Sequence, residues 1–142
     1  MPNDDEVHAL SVERTIDAAP EAVFDAFIAL YDSDRPDWVV DSSLDLRVGG
    51  RWSVAFQVPD GPAFREERTI TALDRPHLLE YAVTAVYGGV PTFDTTVQVT
   101  IDGGRVRLAQ QGFPAPETRD VFAGAWPDVL AELDRRVSGR PS

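Results

Sequence analysis

The stretch VFAGAWPDVLAELDRRV, residues 121–137, decides the fold class that the sequence predicts. Its apolar residues recur every fourth position, with three more beside them: Val121, Ala125, Val129, Leu133 and Val137, flanked by Phe122, Trp126 and Leu130. Apolar side chains at such spacing share one face of an α-helix, so we expect a long amphipathic helix at the C-terminus. Pro127 lies inside the run, where a proline either kinks a helix or marks a fresh first turn.

Upstream of this helix, apolar and polar residues alternate, which is typical of half-buried β-strands. The clearest alternation is FDTTVQVTI at 93–101, which places Phe93, Val97 and Ile101 on one face. We predict further strands over 10–16, 44–48, 52–56, 64–73, 79–83 and 106–110, with turns at 49–50, 59–62, 74–77, 87–91 and 102–104. The charged run REER at 65–68 leaves the inward face of its strand ambiguous.

A shorter helix is predicted after the first strand, because Pro20 suits a first helical turn and an apolar stripe follows it. The stripe consists of Val23, Phe24, Phe27, Ile28, Leu30 and Tyr31. Strands joined by consecutive hairpins form an antiparallel sheet, whose apolar face another element must cover. The C-terminal helix is the element long enough to cover it.

We therefore predict an α+β fold of the helix-grip type. A curved antiparallel sheet of about six or seven strands would surround the long C-terminal helix, with the shorter helical segment after the first strand. The length favours a single domain over residues 1–142, with its core at about 7–137. A curved sheet does not close perfectly on a helix, so we expect an internal cavity between them.

The composition narrows the classes of partner. With 13 basic and 24 acidic residues the net charge is −11, which repels phosphate backbones and anionic lipids, so we expect neither nucleic acid nor a membrane as partner. The chain has no cysteine, and its two histidines, His8 and His77, stand far apart in end and turn positions, so we expect no metal site and no cofactor. An acidic N-terminus without an apolar run favours a cytoplasmic protein.

Polar residues on the predicted strands are candidates for orienting a ligand in the cavity: Arg14, Glu66, Arg68, Tyr81 and Gln110. Arg14 falls on the inward parity of its strand, where a charge needs a partner, and Glu66 or Glu80 would supply one. Alternatively, Arg14 could anchor a ligand carboxylate or phenolate. The aromatic candidates for the lining are Trp38, Trp52, Phe56, Phe93, Phe122 and Trp126. No catalytic residue is assigned.

Three stretches resemble the START-like superfamily, also called SRPBCC or birch-pollen-allergen-like. They are VERTIDAAPEAVFDAF at 12–27, DLRVGGRW at 45–52, and GFP at 112–114 followed by WPDVLAEL at 126–133. The closest resemblance is to the bacterial branch named after homologues of the heat-shock ATPase activator, and it covers about 7–137. The sequence departs from that branch at Gln110, where a histidine is common, which lowers the expectation of acid–base chemistry.

The resemblance implies the helix-grip fold, in a superfamily that includes lipid and sterol carriers, hormone receptors, polyketide cyclases and chaperone regulators. We expect a monomer or homodimer that binds a hydrophobic or aromatic small molecule in the cavity. Two alternatives stay open: a polyketide cyclase- or dehydratase-like enzyme, and an interaction module that regulates a chaperone ATPase through a protein partner. Raised carboxylate pKa values in the pocket would favour the enzyme.

Overall fold

A computed structural model describes residues 8–33, 35–57, 61 and 63–138. The elements, in chain order, are β1 (Ala9–Thr15), α1 (Pro20–Leu30), β2 (Val39–Leu44), β3 (Arg51–Gln57), β4 (Ala63–Asp74), β5 (Leu78–Tyr87), β6 (Val90–Asp102), β7 (Arg105–Gln111) and α2 (Pro116–Ser138). Of the predicted turn at 59–62, residues 59, 60 and 62 lie outside the described part of the chain.

All the strands join one seven-stranded antiparallel sheet in the order β1-β7-β6-β5-β4-β3-β2. The first two strands along the chain therefore form opposite edges of the sheet, and α1 lies on the connection between them. The long helix α2 packs against β1 and α1. The predicted helix-grip architecture, with its antiparallel sheet and long C-terminal helix, is confirmed.

Burial alternates along the central strands and shows which face of each strand is inward. On β6 the buried residues are Thr95, Val97, Val99 and Ile101, as the alternation at 93–101 predicts. On β4 the buried residues are Glu66, Arg68 and Ile70. In the charged run at 65–68, Glu66 and Arg68 therefore face inward, whereas Arg65 and Glu67 are exposed. The sheet therefore presents two charged side chains to the interior.

The predicted strand at 44–48 is wrong, because the strand in this region is Val39–Leu44 and the chain turns over 45–50. Leu46 and Val48 are exposed, at 42% and 60%. A Cβ on Gly50 would clash with the carbonyl oxygen of Asp45, so this close backbone approach requires glycine. Apolar alternation in 44–48 therefore belongs to a turn rather than to a buried strand. The predicted loop at 87–91 is also shorter, since β6 begins at Val90.

The buried stripe of α2 differs from the predicted one. Trp126, Leu130 and Leu133 are buried, whereas Val121, the first residue of the predicted stripe, is 70% exposed. At 3.6 residues per turn, each four-residue step advances about 40° past a full turn, so a strict fourfold repeat drifts around the helix. Pro127 lies inside α2 without ending it, so the alternative of a fresh first turn is wrong.

Candidate functional site

A pocket of about 100 Å³ lies between the β3–β4 part of the sheet and α2. Its lining comes from the end of α1, the segment before β2, strands β3 and β4, and α2. The lining residues are Tyr31, Trp38, Phe56, Phe64, Glu66, Arg68, Phe122, Ala125, Trp126 and Val129. Apart from one ion pair and three ring polar groups, those of Tyr31, Trp38 and Trp126, this lining is apolar, which is typical of small-molecule sites.

Stacked aromatic rings form one wall of the pocket. Phe56 stacks on Trp38 at 6.1 Å and on Phe64 at 4.8 Å between ring centroids. Phe64 in turn stacks on Tyr87 at 5.1 Å. The sheet register explains this row, because Phe56 pairs with Phe64 across β3 and β4, and Phe64 pairs with Tyr87 across β4 and β5. The wall therefore consists of nearly parallel ring faces.

The buried ion pair Glu66–Arg68 contributes to the lining of the pocket from β4. Because side chains two apart on a strand share a face, both residues point inward from β4. Arg68 donates from Nε and Nη2 to Oε1 of Glu66, at 2.8 and 2.6 Å. The exposed fractions are 2% for Arg68 and 7% for Glu66. A charge pair this deeply buried requires further compensation for its lost hydration.

Three aromatic rings supply that compensation for Arg68. Its guanidinium carbon lies 4.4 Å from the ring centroid of Trp52, 4.7 Å from that of Tyr31 and 4.8 Å from that of Tyr81. Cation–π attraction strengthens where water is excluded. Burial by itself would lower the pKa of Arg68, but Tyr81 and Glu66 raise it, so the guanidinium stays charged.

The tyrosines around Arg68 are poorly suited to acid–base chemistry near neutral pH. Burial raises the pKa of the Tyr31 and Tyr81 hydroxyls well above the ordinary tyrosine value, although the Arg68 charge acts in the opposite direction. Within the described residues the Tyr81 hydroxyl has no hydrogen-bond partner. A general acid or base works best with a pKa near the operating pH, so this arrangement suits binding better than proton transfer.

A buried hydrogen-bond chain fixes the indole of Trp126 at the pocket. Trp126 donates from Nε1 to Oε1 of Gln110 at 2.8 Å, and Gln110 donates from Nε2 to the Thr95 hydroxyl at 2.9 Å. Gln110 is 2% exposed and connects β7 to both β6 and α2. The amide therefore positions a lining residue from behind the pocket.

The structure brings some of the predicted site residues together and separates others. Those in the lining are Trp38, Phe56, Glu66, Arg68, Phe122 and Trp126. Trp52 and Tyr81 lie against Arg68 instead, and Gln110 lies behind Trp126. Phe93 contacts Phe122 at the flank of the pocket, with 6.1 Å between ring centroids.

Arg14 lies away from the pocket, at the junction of β1 and α2. Its Nε donates to Oδ2 of Asp134 at 2.9 Å, and its side chain is 43% exposed. The predicted partners, Glu66 and Glu80, are wrong: Glu66 binds Arg68, and Glu80 accepts hydrogen bonds from Thr71 and Gln98. The alternation along a strand predicts which residues face inward, but it does not show which helix residue lies opposite such a side chain.

Sequence reasoning left four lining residues out of the site: Tyr31, Phe64, Ala125 and Val129. A signal existed for Phe64, because it shares the parity of Glu66 and Arg68 on β4. Tyr31 ends the apolar stripe of α1, which identified it as a core residue without connecting it to a cavity. Ala125 and Val129 belong to the apolar stripe predicted for α2, and such a stripe indicates burial without indicating a cavity.

Two larger hollows, of about 510 and 450 Å³, lie on the outer face of the sheet. Polar side chains dominate their rims, and several of these are already hydrogen-bonded, as in Thr84 to Asp94 at 2.6 Å. Residues of β4, β5, β6, β7 and β1 line these hollows, including the small side chains of Ala82 and Ala109. We therefore place the candidate site in the smaller aromatic pocket, because its lining is almost entirely apolar.

No group of three or more potential metal ligands occurs among the residues the structure describes. Each histidine ring binds a backbone carbonyl: Nδ1 of His8 donates to Phe113 at 2.7 Å, and Nδ1 of His77 to Ile101 at 3.1 Å. Over the same residues, no helix has the length and apolar character that crossing a membrane requires.

Comparisons with known proteins agree with the fold described above. The family model described as Activator of Hsp90 ATPase homolog 1-like protein, AHSA1, matches residues 17–138. A solved protein of Rhizobium loti superposes with a TM-score of 0.68 at 25% identity, covering 88% of this chain and 93% of that one. A protein of Chromobacterium violaceum gives a TM-score of 0.73 at 24% identity, covering 95% and 99%. The AHSA1 protein of Silicibacter pomeroyi gives 0.75 at 18% identity, covering 92% and 97%. A comparison with curated proteins found no match.

Proposed function

The chain belongs to the family described as Activator of Hsp90 ATPase homolog 1-like protein, and we propose that it binds a small aromatic molecule in the pocket between β3, β4 and α2. The observation that carries this proposal is an aromatic pocket whose lining includes the buried Glu66–Arg68 pair. A buried ion pair adds little net stability compared with well-packed apolar residues. A role in orienting a ligand would explain why the ion pair lies beside the pocket.

The size of the pocket sets the size of the ligand. Drug-sized ligands occupy pockets of roughly 300–1,000 Å³, whereas a dry cavity of roughly 150 Å³ accepts benzene. The pocket holds about 100 Å³, which is less than either volume, so we propose a ligand with no more than a single ring. The stacked faces of Trp38, Phe56 and Phe64 would accept such a ring by offset stacking or by edge-to-face contact.

The alternatives have less support. A cyclase- or dehydratase-like enzyme would need several pocket carboxylates, and within the described residues Glu66 alone lines the pocket and is bound to Arg68. An interaction module would need a contiguous apolar patch. Of the large apolar side chains that are exposed, Val40, Val90 and Val121 come from three different elements, and Leu46 and Val48 share one turn.

A pair of identical substitutions on α2 tests the proposal. Val129 lines the pocket, whereas Val121 is exposed on the same helix. We expect Val129→Phe to fill the pocket and weaken toluene binding at least about tenfold, since the added ring occupies the ligand's place. The control Val121→Phe should bind toluene like the unmodified protein. Binding is measured by quenching of tryptophan fluorescence and by thermal shift. Equal toluene affinity in both variants would reject this pocket as the site.

A further inference from the structure

We infer that the ligand is a neutral aromatic molecule with a hydrogen-bond donor, of the phenol or aniline class, and that its donor binds Oε2 of Glu66. This inference rests on the proposed function and names the chemistry that the pocket selects.

Glu66 is the charged group of the pocket with acceptor capacity left. Both hydrogen bonds from Arg68 end on Oε1 of Glu66, and Oε2 accepts none from the described residues. An ionised carboxylate has about four acceptor positions on its two oxygens. Oε2 is not fully buried, so a donor in the pocket can reach it, and a hydrogen bond from that donor to the carboxylate would be charge-assisted.

Arg68 is a poor anchor for a ligand carboxylate, although it carries the positive charge. Its Nη1 is buried and has no hydrogen-bond partner among the described residues, and its side chain is 1% exposed. The rings of Tyr31, Trp52 and Tyr81 lie against the guanidinium. N–H groups pointing at ring faces gain a weak attraction there. A ligand acceptor would have to displace these rings before it reached Nη1.

The charge balance favours a neutral ligand. Nη2 of Arg68 and Oε1 of Glu66 are 2.6 Å apart, so the pair already cancels its own charge. A further charge of either sign would enter the pocket without a counter-charge, and the loss of its hydration would oppose binding. The net charge of −11 also opposes the approach of an anion. A phenol keeps its proton at neutral pH, because such hydroxyls ionise at about pH 10.

The inference is tested with ring compounds of matched shape. Phenol, aniline and toluene each carry one heavy atom on the ring, and only the first two present a donor. A hydrogen bond to a charged acceptor should make phenol and aniline bind about tenfold more tightly than toluene. Benzoate, which offers an acceptor and a negative charge, should bind more weakly than phenol. Affinities are measured at neutral pH by tryptophan fluorescence, with calorimetry as the second method.

Each outcome separates the inference from the proposed function. Equal affinity for phenol and toluene, or tighter binding of benzoate, would overturn the donor inference while leaving an aromatic binding pocket. Failure of every compound to bind would overturn both.

A variant pair then locates the contact. Glu66→Gln should reduce the phenol-to-toluene affinity ratio several-fold, whereas Glu67→Gln, on the outward face of β4, should leave the ratio unchanged. An unchanged ratio in Glu66→Gln would overturn the assigned contact. A partial loss of folded protein affects the phenol and toluene measurements equally, so it does not change the ratio of the two affinities. If Glu66→Gln does not fold, the affinities of the unmodified protein for the ring compounds still decide the chemical class of the ligand.

Discussion

Arg68 is buried because several residues from separate elements compensate its charge. Glu66 supplies the counter-charge from the same strand, and Tyr31, Trp52 and Tyr81 supply ring faces from the end of α1, from β3 and from β5. Removing one member of such a group leaves the others with buried charge or unsatisfied donors. The stability of the site is therefore coupled among its residues.

A double-mutant cycle on the ion pair tests this coupling. We expect Glu66→Leu and Arg68→Met each to lower the free energy of unfolding by about 3–5 kcal/mol, because each leaves one uncompensated buried charge. The combined variant should be far more stable than the sum of the two losses predicts. Urea denaturation followed by far-UV circular dichroism measures the three values. Additive losses would show that the two side chains do not act as a pair.

The buried tyrosines predict a loss of stability at alkaline pH. The folded-state pKa values of Tyr31 and Tyr81 are raised, whereas in the unfolded chain both ionise near about pH 10. Their contribution to stability is therefore complete below about pH 10 and is lost as the pH rises further, by about 1.4 kcal/mol per pH unit for each tyrosine. Urea denaturation at a series of pH values measures the slope.

The variant Tyr81→Phe serves as the control for this pH dependence. With one buried hydroxyl removed, the stability should fall less steeply with pH than in the unmodified protein. An identical slope in both proteins would mean that Tyr81 ionises as easily in the folded state as in the unfolded one.

At the scale of elements, α2 is connected to the sheet by the chain from Trp126 through Gln110 to Thr95. This chain crosses from the helix to two strands, so it fixes α2 relative to the sheet and holds one side of the pocket. The buried stripe of α2 follows i, i+4, i+7 spacing through Trp126, Leu130 and Leu133. The hydrogen-bond chain thus begins on the same helix face that packs into the core.

Substituting the central amide should loosen this attachment. Gln110→Leu is expected to lower the free energy of unfolding by about 1–3 kcal/mol, because Nε1 of Trp126 is left buried without an acceptor. The neighbouring Gln111→Leu, on the exposed side of β7, should change it by less than about 0.5 kcal/mol. Thermal and urea denaturation of the two variants provide the comparison. Similar effects from both would remove the amide's proposed role in holding α2.

At the scale of the whole molecule, the dominant electrostatic feature is the excess of acidic residues. The net charge of −11 makes the folded chain repel itself, in spite of surface ion pairs such as Arg75–Asp25 and Arg65–Glu67. Exposed pairs of this kind contribute little each. The self-repulsion should therefore outweigh them at low ionic strength.

Salt is accordingly expected to stabilise the protein. Between about 0.01 M and about 0.1 M salt the Debye length falls from roughly 30 Å to roughly 10 Å, which screens repulsion across the molecule. We expect the melting temperature to rise by a few degrees over this range, equally in NaCl and KCl, in a calorimetric scan. A falling melting temperature would indicate that the surface ion pairs outweigh the net repulsion.

The sequence by itself determined the order of the elements, the antiparallel sheet and the covering C-terminal helix. It also identified the inward face of β5, β6 and β7, where Tyr81, Val97 and Leu108 alternate with polar neighbours. These features depend on local periodicity, because a residue's own polarity records whether its side chain faces water. Close turns with glycine, as at Gly103 and Gly104, are equally local.

The tertiary structure decided which side chains meet. Arg14 binds Asp134, and Arg68 lies among rings from three other elements, because strand register and helix placement bring together residues far apart in the chain. The pocket lining likewise depends on the rotation of α2, which follows from packing against β1 and α1 rather than from the fourfold repeat of apolar residues. Periodicity carries information about burial one residue at a time, whereas a contact depends on two residues and on the geometry of everything between them.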